Sequence, residues 1–351
     1  MNFRYIGKKL AVFCLIGLMS MGTLTGCSKD TKLVFTTGLS GNQIFKIGST
    51  KCTMPEAMIY LTTFYNQYAD IYGQEMWNYD FGGVSLEEHV KDVVISKLAQ
   101  IKVMNLMAEE RGIELTKEEK ELVSAAADCY YDQLEESLKE TEKISKEIVE
   151  MVYFEYALAN KVYTTITETA DMEISDDEAR TVTVQSIYFQ NWKMLGNERT
   201  LMGENELEKV EKTAQDVVKR IENGEDFEML ASQYSDDKQL VKNYARGSVE
   251  AHFEEILFSM AEGDISGVIE TADGFCIVKC ISTMDFEATQ ANKLVLAKQR
   301  KQETFSNAYK EIATNTHSQF KDKQWNAIVL NEETHITDAN FFDIYDEFLK
   351  Q

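Results

Sequence analysis

The 351 residues are 44% hydrophobic and 27% charged, with 59 acidic side chains against 36 basic ones and a net charge of −23. So acidic a chain speaks against nucleic acid as a partner and against adhesion to an anionic membrane through a basic patch, because both need clustered Lys and Arg. Its length and apolar content suffice for cores in two or three globular domains.

Arg4, Lys8 and Lys9 precede an apolar run from Leu10 to Leu24, shorter than the ~20 residues of an ordinary membrane-spanning helix. A basic start and a short apolar run read as a signal peptide over residues 1–26. Leu24-Thr25-Gly26-Cys27 closes it and resembles the lipobox at which bacterial lipoproteins are cleaved and acylated. That resemblance implies lipidation of Cys27 with palmitate-type chains and a place on the extracytoplasmic face of the cell membrane. Each buried acyl methylene contributes ~0.8 kcal/mol to such an anchor. Residues 1–26 carry three positive and no negative charges, so their loss takes the net charge from −23 to −26. Lipid, and not charge, must then hold the mature chain at the membrane.

Residues 27–52 read as anchor, linker and first strand, with VFTTG and QIFKIG on either side of Ser40-Gly41-Asn42. Thr53 and Glu56 have capping-box spacing, with Pro55 in the first turn, and predict a helix to about Asn78. Ser85 and Glu88 repeat the device ahead of Leu86, Val90, Val94, Leu98, Ile101, Met104 and Ala108, a single buried face ended by Gly112. Thr116 with Glu119 opens the next helix. Ser145 opens another, containing Ile148, Met151, Val152, Leu158, Val162 and Ile166, and Ser175 with Glu178 caps a short one. A bundle of about four helices over residues 53–180 is expected.

A strand follows at Val182–Gln190, with Val182, Val184, Ser186 and Tyr188 on one face and Thr183, Gln185, Ile187 and Phe189 on the other. A loop of about fifteen residues leads to a helix from Glu204 to Asn223. Asp226 caps a short helix that Ser235-Asp236-Asp237 ends, and strands are expected at Val268–Thr271 and Phe275–Ile281. A long helix from Glu287 to about Lys321 and a short strand at Ala327–Leu330 complete the chain. Cys276 and Cys280, four apart on a strand, would lie roughly 13 Å from each other, beyond disulfide range, and read as small apolar residues on one face. Neither a CxxC pair nor a His/Cys spacing suggests zinc.

FEEILFSM, GDIS, VIET, ADG and FCIVKC, within residues 224–283, resemble the carboxyl half of a parvulin-type peptidyl-prolyl isomerase domain. RGIELTKEE and ISDDEAR, with the helices around them, are similar in layout to the amino-terminal chaperone module of PrsA/SurA-type foldases. Together they imply an α+β protein: a helical module over 53–180, a parvulin-like domain over 181–285, and a helix and tail over 286–351 that return to the helical module. Unfolded or secreted polypeptides are the implied clients, and a homodimer stays open.

Rotating an X-Pro bond faces a barrier near ~20 kcal/mol and needs a dry, shaped pocket with a polar floor, but no nucleophile, metal or cofactor. The resemblance places the floor on Ser186, Asp237 and Cys276, with Ser186 and Cys276 where the family has histidines. Asp236, one residue earlier, competes with Asp237, and either also fits as an ordinary helix-ending carboxylate. Tyr244 to Phe253 resembles the family's Phe-x-x-Gly-x-Met-x-x-x-Phe and makes Val249 and Phe253 candidate pocket residues, with Val241 a third just ahead of the motif, although Val249 and Phe253 fit a core equally well. The expected function is a lipid-anchored foldase with weak or no isomerase activity. An active isomerase with an altered floor and a non-enzymatic surface-assembly lipoprotein are the alternatives.

Overall fold

The computed structural model describes residues 33–34, 39, 41–73, 77, 83–196, 198–330 and 339–350. The expected signal segment and Cys27 lie outside the described residues. In chain order the strands are β1 Leu33–Val34, β2 Gln43–Ile47, β3 Thr50–Thr53, β4 Thr181–Gln190, β5 Trp192–Leu195, β6 Glu198–Leu201, β7 Val241–Ala245, β8 Ile269–Thr271, β9 Gly274–Ser282 and β10 Ser318–Phe320. Contacts divide the chain into two compact units, residues 1–170 with 301–351 and residues 171–300. Among the described residues no helix is long and apolar enough to cross a membrane.

In the first unit the capping residues start the helices where their spacing predicts. Glu56 reaches back to the Thr53 amide at the head of helix Met54–Tyr72, and Ser85 and Glu88 exchange hydrogen bonds before Leu86–Arg111. Thr116 with Glu119 opens Lys117–Gln133, and Ser145 caps Lys146–Thr167. Each such cap contributes about 1 kcal/mol. The stripe from Leu86 to Ala108 is buried throughout, and Gly112 closes its helix in the left-handed conformation.

Several boundaries differ from expectation. The first helix ends at Tyr72 on Gly73, not near Asn78. Met151 is exposed, because its helix turns Val149, Val152, Tyr153 and Tyr156 inward and Met151 falls off that stripe. The long helix is Phe286–Asn315, and Ala327–Leu330 forms no strand. Ala327 and Val329 are exposed and only Leu330 is buried, so the segment runs irregularly after buried Trp325. The strand is Ser318–Phe320 instead, antiparallel to β2 and parallel to β1, in a sheet of order β1-β10-β2-β3.

Two features tie this unit together. Lys102, buried in helix Leu86–Arg111, donates to Glu56 at 2.8 Å and to both oxygens of Glu155 at 2.7 and 2.6 Å, so one ammonium joins three helices. The last helix, Phe341–Leu349, seats Phe341 fully buried, with its ring 4.3 Å from Tyr153 and 5.0 Å from Tyr60. The Tyr153 hydroxyl donates to the Phe341 carbonyl at 3.0 Å.

The second unit is an antiparallel sheet of order β7-β4-β9-β8. The alternation of β4 divides its two cores. Ile187 and Phe189, with Ile277 of β9, pack on helices Glu204–Glu222 and Phe227–Tyr234. Val182 and Val184, with Cys276 and Val278, pack on Phe253 and Leu257 of helix Ala251–Ser259. The segment expected as a loop is a hairpin, β5 paired with β6 from Trp192↔Leu201 to Leu195↔Glu198. Periodicity conceals it, because each strand is only four residues long and most of its side chains are exposed on both faces.

Candidate functional site: an aromatic cleft on the sheet

β4, β7 and β9 present one face to helix Ala251–Ser259, and a cleft of about 600 Å³ opens there. Tyr188, Tyr244, Val249, Phe253 and Cys276 supply its apolar walls. The Tyr244 and Phe253 rings meet edge to face, 5.5 Å between centroids, a geometry that fixes both rings. Glu250 precedes the helix and accepts the Ala272 amide at 3.3 Å, drawing the β8–β9 turn against the cleft.

The polar groups are arranged in pairs. Asp237 and Lys242 form an ion pair inside the cleft, and Asp237 also accepts the Gln239 amide at 2.9 Å. The hydrogen bond from Lys242 holds the Asp237 carboxyl below its ordinary value. Burial works to lower the Lys242 ammonium, but Asp237 and Tyr244 outweigh it and the net shift is upward. Arg199 pairs with Asp273 and stacks over the Trp192 ring at 4.5 Å, at the end where β5 and β6 meet the cleft. Burial pushes the Cys276 thiol up to about 12, so it is neither thiolate nor base at neutral pH.

Of the residues singled out in the sequence, Asp237, Cys276, Val249 and Phe253 lie together on this cleft. Ser186 does not line it. The residue is buried, and its hydroxyl reaches the Leu240 carbonyl at 3.4 Å. Val241 is also not among the lining residues. It is 50% exposed, and strand alternation turns it away from the side used by Lys242 and Tyr244. Asp236 is separated from Asp237 by its role, for it accepts the Gln190 amide at 3.0 Å and holds the end of β4. Lys242, Trp192 and Arg199 escaped the sequence reading. Lys242 was readable as the alternate neighbour of Tyr244, whereas Trp192 and Arg199 reach the cleft only through the unforeseen hairpin. Among the described residues no group of His, Cys, Asp and Glu could hold a metal ion.

An antiparallel sheet, three helices and an aromatic cleft with an acidic floor define the parvulin-type rotamase class, and the family model of the PPIC-type PPIase domain matches residues 194–282. The foldase protein PrsA of Caldanaerobacter subterraneus is 27% identical over 281 residues, covering 78% of this chain and 82% of that protein. PrsA of Clostridium acetobutylicum is 23% identical over 313 residues, covering 82% and 87%. A crystal structure of the Bacillus cereus peptidylprolyl isomerase PrsA matches 79% of this chain and 99% of that one, at 18% identity and a TM-score of 0.38. Residues 194–282 thus carry a parvulin-type domain, and over most of its length the chain is similar to PrsA foldases.

Proposed function

We propose that this chain is a lipid-anchored extracytoplasmic foldase that binds unfolded secreted polypeptides and isomerises X-Pro bonds weakly or not at all. The observation that carries the second half is the state of the cleft floor. Both cations that line it are already paired with carboxylates, Lys242 with Asp237 and Arg199 with Asp273. The Cys276 thiol stays protonated, and the Ser186 hydroxyl is turned to a backbone carbonyl. Neither cation there is an unpaired charge free to donate to the amide nitrogen as it loses conjugation, the event that would lower a barrier of ~20 kcal/mol. The apolar walls Tyr188, Tyr244, Val249 and Phe253 can still seat a proline ring.

Anchoring is supported by the apolar run Leu10–Leu24 and the small residues before Cys27, and acyl chains on that cysteine would tether an acidic body that charge alone would not hold. Cys27→Ser should release the protein from the membrane fraction into the medium.

A protease-coupled isomerisation assay on an X-Pro peptide, run beside a refolding assay on an aggregation-prone client, tests the proposal. Suppressed client aggregation with turnover close to the uncatalysed rate of tens of seconds is expected. Turnover like that of an efficient parvulin would establish the altered floor as catalytic. Failure to protect any client would favour a purely structural lipoprotein.

A further inference from the structure

We propose that the β5–β6 hairpin extends the cleft into a second subsite, which selects polypeptides with a large apolar or aromatic side chain flanking the proline. The inference rests on reading the cleft as the peptide site. Cross-strand partners share a face of a hairpin, so the register Trp192↔Leu201 and Met194↔Arg199 puts these four side chains on one side. Two of them, Trp192 and Arg199, line the cleft. The other two, Met194 at 57% and Leu201 at 68% exposure, carry the same face outward into solvent. The face is therefore continuous with the aromatic wall, and among the described residues the hairpin pairs with no other strand.

Its charge pattern fits an apolar occupant. The one cation on the face, Arg199, is neutralised by Asp273 and sits over the Trp192 ring. The remaining charges, Lys193 and Glu198, fall on the opposite face, where Lys193 pairs with Glu206 at 2.7 Å. The hairpin is held at its base, the Asn191 amide donating to the Asp273 carbonyl at 3.0 Å and the Met202 amide to the Asn191 carbonyl at 2.8 Å. Met194 follows Trp192 by two residues, ~7 Å along a strand, the reach of an extended peptide's next side chains. A thioether and an aliphatic tip beside an indole adapt to varied apolar groups and carry little preference of shape.

The opposite face supplies the control. Leu195 is 70% exposed but pairs with Glu198, away from the cleft side. Fluorescence anisotropy would follow two labelled peptides binding to the full chain, one with phenylalanine on both sides of its proline and one with alanine there. The parent is expected to prefer the phenylalanine peptide about tenfold. Met194→Ser with Leu201→Ser should bring that ratio close to one, while Leu195→Ser preserves it. Equal binding of both peptides by the parent, a preference that survives the double substitution, or a preference lost equally in Leu195→Ser overturns the subsite and leaves the cleft reading standing. If neither peptide binds, the cleft reading falls and the subsite with it.

Discussion

Gly274 turns β8 into β9 with φ +148°, and a Cβ there would lie 2.0 Å from the Phe189 carbonyl oxygen. The three nearest atoms are all backbone of residues 189–191, so no flexible side chain can give way. Gly274→Ala should therefore destabilise the second unit by on the order of 3 kcal/mol, read as a lower denaturant midpoint; a midpoint within error of the parent would refute it. Cys276 makes a different demand. Its folded pKa of about 12 lies above that of a free thiol, so raising the pH from about 9 ionises the unfolded chain first and draws stability away until about pH 12. At pH 8 Cys276 should resist a thiol reagent in the folded protein and react in denaturant. The sequence made this residue legible through the GFCIV motif alone. It could not separate Asp237 from Asp236, since adjacent carboxylates look alike until one is seen holding β4 and the other facing Lys242.

Between elements, the Lys102 ammonium joins Glu56 and Glu155 across three helices. Lys102→Met would leave two carboxylates facing one another with no counter-charge, at a cost of about 3–5 kcal/mol. Burial lowers the Lys102 pKa, but Glu155 and Glu56 more than reverse this and hold it above the ordinary lysine value. Its contribution is thus complete below the ordinary lysine range and fades as pH rises through the folded value. Thermal melts across the alkaline range should show a shallower loss in the variant than in the parent, and parallel curves would contradict the assignment. Helix starts were legible because a cap and its partner lie three residues apart. The triad was not, because its members are separated by tens of residues and meet only once the helices pack. β10 and the β5–β6 hairpin were hidden for related reasons. Ser318-Gln319-Phe320 is too short and polar to show a period, and its strand character comes from distant β1 and β2.

Across the whole molecule, the charge of −23 and the helix-rich plan were readable from composition and spacing, whereas the return of the tail to the first unit was expected only from the family resemblance. That unit takes residues from before 171 and after 300. A chain cut after residue 300 would lose β10 and the Phe341 helix together. The second unit should then stay resistant to protease while residues 41–170 are digested. Protection of both halves in such a fragment would show that the first unit is complete without its tail.

The same connectivity has a meaning in time. A chain synthesised amino end first delivers β2 and β3 early, but their neighbour β10 arrives only some 270 residues later. Residues 171–300 emerge in one continuous piece and can fold at once, while the helical unit must wait with its sheet edge open and the pocket for Phe341 empty. Loop closure over such a separation is slow compared with local folding. Maturation of this chain should consequently proceed from the middle outward, with the long-range closure setting the moment at which the helical unit becomes usable.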